Sequence, residues 1–488
     1  MSARRQALNP RLLGALSAAW ALVLAGCNLA PQYSAPPESV PTEIVPANAA
    51  PARDQAADSA AATTLPALPL ADWVLDDRLL RLLQQALDQN RNLQQAVLNV
   101  ERARALYGIT QANQLPTIAL SSQAARTRVA ADLSSSGQSV VQNQFSVQLG
   151  LTAFELDFWG RVRNLSETAL QQYLGQTNAQ ESVRLTLLGD VVQAWLNLAA
   201  DQQRLRLAQD TLASREKAFA LTQRMHELGA TSGLVLAQNQ TTVDSARLDL
   251  AAYQSQVAKD RHALELLAGG PVADALLPTA ADGLDKPIAV LVEAPGALPS
   301  TVLLRRPDIR AAEHQLQAMN ANIGVARANF FPRINLTAAI GTGSRALSAL
   351  FEGGNGTWNV GPAIALPIFD GGANRANLRV AQVDRDLAVN GYDRAVQAAF
   401  REVADALAER LTWQQRLAAA TALVDANQKA LDLSNARFKA GTDNYLSVLD
   451  AQRSLYLAQQ QLISLRLAEQ VNRVALYKAL GGDSPETR

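Results

Sequence analysis

This chain is written twice. The segment from Arg224, RMHELGATSGLVLAQNQTTVDSARLDL, runs on to Gly269-Gly270, and the segment from Arg437, RFKAGTDNYLSVLDAQRSLYLAQQQL, runs on to Gly481-Gly482. An offset of about 212 residues lays Gly229 on Gly441 and Leu234 on Leu446, with Arg224 falling beside Arg437. Self-similarity at that distance marks an internal repeat, so each copy is one supersecondary unit. The approaches to both segments share a register. Val191, Leu198, Leu205, Leu212 and Phe219 recur every seven residues, as do Leu417, Val424, Leu431 and Phe438. A sustained seven-residue repeat describes a coiled-coil seam, not the wider stripe of a globular helix.

These helices are long. Neither 161–228 nor 373–439 contains a proline, and at 1.5 Å per residue each would reach on the order of 100 Å. Each meets a turn at Gly229 or Gly441, where glycine permits the left-handed geometry of a helix stop. The chain then returns as a second helix. Two antiparallel hairpins follow, at about 161–268 and about 371–481. A soluble structural coiled coil would explain these helices but not what lies between them.

Between them the period changes from helical to alternating. Phe145, Val147, Leu149 and Leu151 alternate with Ser146, Gln148, Gly150 and Thr152. Ile334, Leu336, Ala338 and Ile340 alternate likewise, as do Trp358, Val360, Ile364, Leu366 and Ile368, with Ile118 and Leu120 a weaker case. One-face apolar alternation over about ten residues is the pattern of a membrane-spanning β-strand. A soluble sheet packed on the helices is the alternative. The strands form two hairpins, about 116–158 and about 332–369, with polar tips at 131–144 and 345–357. Pro362 argues against a fully paired central position for the last strand. Four strands cannot close a barrel, and lipid does not tolerate an open sheet edge. The smallest membrane barrels have about eight strands, so at least two chains must share one; the arithmetic leaves two or three open.

The N-terminus reads as an export signal: Arg4, Arg5 and Arg11, an apolar run from Leu12 to Leu24, then Ala25-Gly26-Cys27. Cys27 is the sole cysteine, which excludes an intramolecular disulfide. Leu24-Ala25-Gly26-Cys27 resembles the bacterial lipoprotein box. That resemblance implies that Cys27 becomes the lipidated first residue, and Asn28 after it implies sorting to the outer membrane. Multiple acyl chains give stable anchoring. The expected division is a signal peptide 1–26, an extended Pro/Ala/Thr-rich tether 27–70, a first repeat 71–270, a connector 271–310, a second repeat 311–482 and a polar tail 483–488.

Several function classes drop out. Lys+Arg equals Asp+Glu at 44 each, so nothing points to nucleic acid. No phosphate-binding GxxxxGK[ST] loop and no Gly-x-Ser-x-Gly elbow occurs. His226, His262 and His314 have no metal-ligand spacing. The expectation is no enzyme, no metal and no cofactor beyond a covalent lipid on Cys27. Arg305, Arg306, Pro307 and Asp308 read mainly as an ordinary helix start.

Together these segments resemble the TolC-like outer-membrane efflux channels, in the NodT-like lipoprotein branch that serves tripartite RND-type pumps. The resemblance is carried by Leu24 through Cys27, LDFWGRVRN from Leu156, LLRRPDIRAAEHQLQAMNANIGVARANFFPRINLT from Leu303, and GPAIALPIFDGG from Gly361. It implies a mainly α fold with a membrane β-barrel, in which a homotrimer shares twelve strands and an α-helical tunnel. It also implies an α/β belt near 270–310, a periplasmic adaptor and an inner-membrane pump as partners, and a Gram-negative outer-membrane location. A channel for protein secretion, or an adaptor lipoprotein, are the other readings.

The same resemblance assigns the hairpin ends. Arg224, Leu228, Gly229, Leu234, Arg437 and Gly441 match the adaptor-contacting pattern, although turn chemistry alone would account for the glycines. Leu446 and Asp450 match the periplasmic gate, an apolar constriction with a carboxylate one helical turn away. Rings of such residues favour cations. The offset lays Asp450 on Gln238 and places Ser447 where some members of the family carry Asp, so any acidic ring comes from one copy.

Overall fold

The fold follows the duplication in its strand pairs and long helices. The computed structural model describes residues 28–37, 39–44, 69–282, 284, 286–289 and 298–482. Cys27, the signal segment, most of the tether and the tail 483–488 lie outside the described residues. Helices are α1 (Leu70–Trp73), α2 (Asp77–Gln89), α3 (Arg91–Ala112), α4 (Arg161–Glu227), α5 (Gly233–Ala268), α6 (Pro307–Ala328), α7 (Ala373–Lys439) and α8 (Tyr445–Ala479). Strands are β1 (Glu43–Ile44), β2 (Ile118–Val129), β3 (Val140–Glu155), β4 (Leu298–Pro299), β5 (Arg333–Ser344) and β6 (Gly356–Ala365). The copies match in length: α3 and α6 have 22 residues each, α4 and α7 have 67 each. The described chain divides into two units.

One unit, comprising 28–36, 99–176 and 311–392 of the described residues, holds an antiparallel sheet in the order β2-β3-β5-β6. Its register aligns the apolar residues of all four strands. Ile118 faces Leu151, Leu120 faces Leu149, Leu149 faces Ile340 and Ile340 faces Trp358. Opposed residues share a face, so Ile118, Leu120, Ile340, Trp358, Val360 and Ile364 form one apolar surface, and all six are exposed. The other face carries Ser121, Gln123, Gln148, Asn359 and several glycines. A Cβ on Gly150 would come within 2.5 Å of the Ala338 carbonyl oxygen, so that crossing requires glycine.

Register shifts once, between Leu151 and Phe154, at a β-bulge. There Ala153 takes φ 52° and its N–H donates to the Thr337 hydroxyl at 3.3 Å. Pro362 lies on β6 opposite Leu336, and β6 is an edge strand, which is where proline is tolerated. The helices joined to these strands keep the strand order. Tyr107 of α3 stacks near Tyr173 of α4 at 6.4 Å, Gln171 of α4 meets His314 of α6 at 2.7 Å, and Ile323 and Ala326 of α6 pack on Ala381 of α7.

The tether region is bound where it is described. Asn320 and Arg327 on α6 donate to the carbonyls of Pro31 and Leu29 at 2.8 and 3.1 Å. Gly324 lets the segment approach: a Cβ there would lie 2.8 Å from the Ala30 nitrogen. Farther along, β1 pairs with β4 and Ile44 is fully buried. The composition of 27–70 suggested an extended tether, and Leu29 and Pro31 near its start are held through their main-chain carbonyls.

The other unit, comprising 37–98, 177–310 and 393–482 of the described residues, holds the principal core. Trp73, Leu79, Leu82 and Leu83 pack on Leu188, Val191, Trp195 and Leu198 of α4 and Leu264 of α5. Trp73 stacks on Tyr477 at 3.9 Å. Along the seam, Val191 and Leu198 are buried, whereas Leu205, Leu212, Phe219, Leu417, Val424, Leu431 and Phe438 are half-buried in the single chain. Arg306, read as part of a helix start, is buried and bonds Asp308 and Glu402, each at 2.8 Å, and the Ala479 carbonyl at 3.1 Å.

A second arginine fastens α2. Asp76 caps the helix, accepting from the Arg78 and Leu79 N–H groups at 2.8 and 3.3 Å. The Arg78 guanidinium bridges Asp76 and Asp282 at 2.8 and 3.1 Å. Burial pushes both carboxyls up, but the hydrogen bonds outweigh it and hold both below the usual carboxylate range. Depressed folded-state values mean that the clasp contributes fully at neutral pH and is lost as pH falls below about 4. Arg78→Ala should therefore weaken protection of the α2 amides by about 1–2 kcal/mol after allowance for solvent screening. Hydrogen exchange on the full chain, corrected for intrinsic rates, should show that the acid loss seen in the native protein is absent from the variant.

Candidate functional site

The two hairpin turns are built alike. In the first, the Ala230 N–H donates to the Met225 carbonyl at 2.7 Å, and Gly229 takes φ 74°. In the second, the Thr442 N–H donates to the Arg437 carbonyl at 3.0 Å, and Gly441 takes φ 72°. Both are helix stops in which the glycine occupies the left-handed position. Ser232 caps α5 through the Val235 N–H at 3.4 Å, and Asn444 caps α8 through the Ser447 N–H at 3.3 Å. The glycines thus have a complete account in turn chemistry.

The two arginines are not equivalent. Arg437 makes a two-pronged ion pair with Asp443 across the turn, at 2.6 and 3.0 Å. That pair holds the Asp443 carboxyl below its ordinary range. Arg224 is exposed on the last turn of α4, and the first hairpin has Thr231 where the offset would place Asp443. Leu228 is 83% exposed and Leu234 is 68% exposed. Neither side chain packs within the turn, so turn chemistry does not account for them as it does for the glycines.

Leu446 and Asp450 share one exposed face of α8, and two further residues complete it. Arg453 forms an ion pair with Asp450, and Leu457 follows one turn later, 56% exposed. Asp450 read from sequence as a lone carboxylate; in the structure its charge is compensated within the same helix. Arg453 was legible at i+3, a spacing at which side chains meet.

Behind the tips lie polar contacts that apolar periodicity did not reveal. Asn239 is almost wholly buried and donates to the Thr222 hydroxyl at 3.0 Å, across the first hairpin. The Tyr445 hydroxyl is buried beside Asn239 without a well-formed bond, and burial pushes its pKa up. Farther from the tip, Arg215 of α4 donates to the Thr242 carbonyl at 2.8 Å and lies over the Tyr456 ring, whose hydroxyl donates to Asp249 at 3.0 Å. These layers tie α8 to the first hairpin. Their sequence signal was a polar residue interrupting a seam.

Among the described residues no group of three or more His, Cys, Asp or Glu side chains could hold a metal ion. His226 is engaged with the Thr231 carbonyl at 3.0 Å and His314 with Gln171. No described helix is long and apolar enough to cross a membrane, which leaves the exposed face of the sheet as the apolar surface to be explained.

A repeated strand pair with one apolar face, joined to repeated long helical hairpins, defines a class: the outer-membrane channels of the TolC type. The chain belongs to the outer membrane efflux protein family, whose model matches residues 82–270 and 298–482. It is 44% identical over 467 residues to the toluene efflux pump outer membrane protein TtgF of Pseudomonas putida, covering 96% of each chain. It is 42% identical over 425 residues to the outer membrane protein OprJ of Pseudomonas aeruginosa, covering 86% of this chain and 88% of that one. Among solved structures, the Neisseria gonorrhoeae MtrE outer membrane channel in its open state superposes with a TM-score of 0.80 at 36% identity, covering 94% of this chain and 98% of that one. A membrane protein from Pseudomonas aeruginosa gives 0.85 at 38% identity, covering 95% and 99%. The protein is an outer-membrane efflux channel.

Asn239→Ala would remove the donor to the Thr222 hydroxyl, which keeps its bond to the Ala218 carbonyl at 3.0 Å, at a cost of about 1 kcal/mol. The expected result is faster hydrogen exchange confined to the ends of α4, α5 and α8, with the sheet unchanged. In planar bilayers, Leu446→Ala and Asp450→Ala should each raise passive conductance several-fold; unchanged single-channel current would remove both from the gate.

Proposed function

We propose that the chain acts as a homotrimer, anchored through a lipid on Cys27, that conducts small molecules from an inner-membrane pump and periplasmic adaptor through the outer membrane. The observation that carries this reading is a continuous apolar sheet face bounded by two edges, β2 and β6, that have no partner among the described residues. Lipid tolerates neither edge open. Joining β2 of one copy to β6 of the next makes a head-to-tail contact that closes into a ring.

The edge helices support the same assembly. Leu106 and Ile109 on α3 are exposed, as are Val380, Val383 and Leu387 on α7. These short stripes have helical spacing, and each would find its partner on the neighbouring copy. Three copies give the twelve strands that the family resemblance implies.

Asn28, the residue after Cys27, accepts from the Asn164 side chain at 2.9 Å in the first turns of α4. That helix follows β3, so acyl chains on Cys27 would enter the membrane beside the strands. The exposed Arg224, Leu228 and Leu234 suit an adaptor at the hairpin tips. Relatives named for toluene and antibiotic efflux suggest apolar and amphipathic cargo. This reading needs no catalytic group and no cofactor besides the lipid.

The test is assembly and conduction by the full mature chain. Extracted in mild detergent, it should run as a heat-modifiable trimer and open discrete conductances in planar bilayers. A monomer that forms no pores would overturn the reading. A deletion strain should become sensitive to toluene-like solvents and regain resistance with the native chain.

A further inference from the structure

The first hairpin contains two carboxyls that face each other across its seam. Asp201 on α4 and Asp260 on α5 are equally distant from the midpoint of the Gly229 turn, as are Thr222 and Asn239, whose side chains bond directly. An antiparallel hairpin therefore sets Asp201 and Asp260 level, and the two carboxyls come within hydrogen-bonding reach. Asp201 is buried. On Asp260, Gln256 donates to Oδ1 at 2.8 Å, while Oδ2 is buried with no donor facing it. Two ionised carboxylates cannot share such a site without a proton or a cation between them.

The surroundings offer one cation to the pair. Arg204 bonds Asp201 at 2.6 Å and also donates to Ser464 of α8 at 2.8 Å. On α5, Tyr253 is the ionisable group that feels Asp201, Arg204 and Asp249. From α8 come Gln460, which donates to Tyr253 at 3.1 Å, and Ser464, neither of them ionisable.

The second copy shows what the pair replaces. The offset lays Asp201 on Trp413, Arg204 on Arg416 and Asp260 on Asn472. There Arg416 lies over the Trp413 ring at 4.4 Å, and Asn472 donates to the Ala406 carbonyl and Glu409 at 3.1 and 3.0 Å. The same level of the same fold is held by a cation–π contact and an amide in one hairpin, and by an arginine with two acids in the other.

We propose that Asp201 and Asp260 form a proton-sharing clasp that makes the first hairpin, and not the second, tighten on acidification. In the acid form the Asp260 hydroxyl donates to the Asp201 carboxylate, which Arg204 also holds. In the basic form both carboxylates are charged against a single arginine, and α4 and α5 separate more readily at this level. Desolvation first, then the hydrogen bond and charge of Asp201, push the Asp260 carboxyl up to about 6. A raised folded-state value means that the clasp is intact below the unfolded carboxylate range and is lost as pH rises through about 6. The medium on the periplasmic side would then bias one hairpin of each pair, and with it the tips.

Hydrogen exchange on the full-length protein tests this at about pH 5 and about pH 8, with intrinsic rates corrected. Amides flanking Asp201 and Asp260 should be about tenfold better protected at the acid pH, allowing for solvent screening. Amides flanking Trp413 and Asn472 should not change. Asp260→Asn supplies a permanent neutral donor and should abolish the difference while keeping protection high; Asp201→Asn should also abolish it. A pH response that survives both substitutions, or that is equal in the two hairpins, would overturn the proposal, as would its absence from the native chain. The readout concerns the folded chain alone, so it stands or falls separately from trimer assembly and conduction.

Discussion

Everything in the sheet depends on its register. Side chains alternate along a strand, so a slip of one residue would move the whole apolar set to the opposite face. The observed pairing avoids this across three junctions at once: Leu120 with Leu149, Leu149 with Ile340, Ile340 with Trp358. Small residues on the other face make that pairing possible, since Gly150 sits where a Cβ would strike the Ala338 carbonyl. The bulge at Ala153 absorbs an irregularity near the end of β3, after which Phe154 and Leu336 return to the shared apolar face. The helices inherit this order, because each of α3, α4, α6 and α7 is joined to one strand with few intervening residues.

The hairpins obey a different constraint. Leucines and valines every seven residues specify that two helices pair, but they do not specify how far one may slide past another. Buried polar groups do, because a displaced donor leaves its partner unsatisfied at a cost larger than the bond itself is worth. Asn239 with Thr222, Arg215 with the Thr242 carbonyl, and Tyr456 with Asp249 are such fixed points. The first two fix α4 against α5, and Tyr456, which bonds Asp249 and lies under Arg215, fixes α8 against both, so a slide of either kind must strain or break one of them. An apolar seam alone would slide; this one has steps.

Much of this was legible in the residues, for a physical reason in each case. The repeat, the heptads, the strand alternation and the glycine turns are all periodic or local, and local signals survive without knowledge of contacts. Pro362 even indicated an edge strand. What could not be read was pairing between distant segments. The docking of Leu29 and Pro31 on α6 uses their carbonyls, which every residue possesses, and its one sequence trace is a helical glycine, Gly324. Arg306 looked like part of a helix start, and its bond to the Ala479 carbonyl joins residues 173 apart. At the candidate gate, Arg453 was within reach of i+3 reasoning, yet the sequence gives no sign that its charge would go to Asp450 rather than to solvent.

Arg306 gains its meaning from the other copy. The residue before α3 is Asn90, whose amide donates to the Leu267 carbonyl at 2.8 Å while its oxygen caps Leu93 at 3.0 Å. The residue before α6 is Arg306, which donates to the Ala479 carbonyl. The offset that joins the repeats lays Leu267 on Ala479, so both bonds satisfy a carbonyl at the end of a returning helix. An asparagine does this in one copy and an arginine in the other. The arginine reaches two acids besides, Asp308 and Glu402, so it ties α7 into the joint as well. Duplication preserved the joint while its chemistry diverged. The carbonyl is a fixed demand of the helix end, and any donor of suitable reach can meet it; the extra contacts are then free to differ between copies. Conserved geometry with divergent donors is how one chain can present two hairpins of the same shape that respond differently to the same conditions.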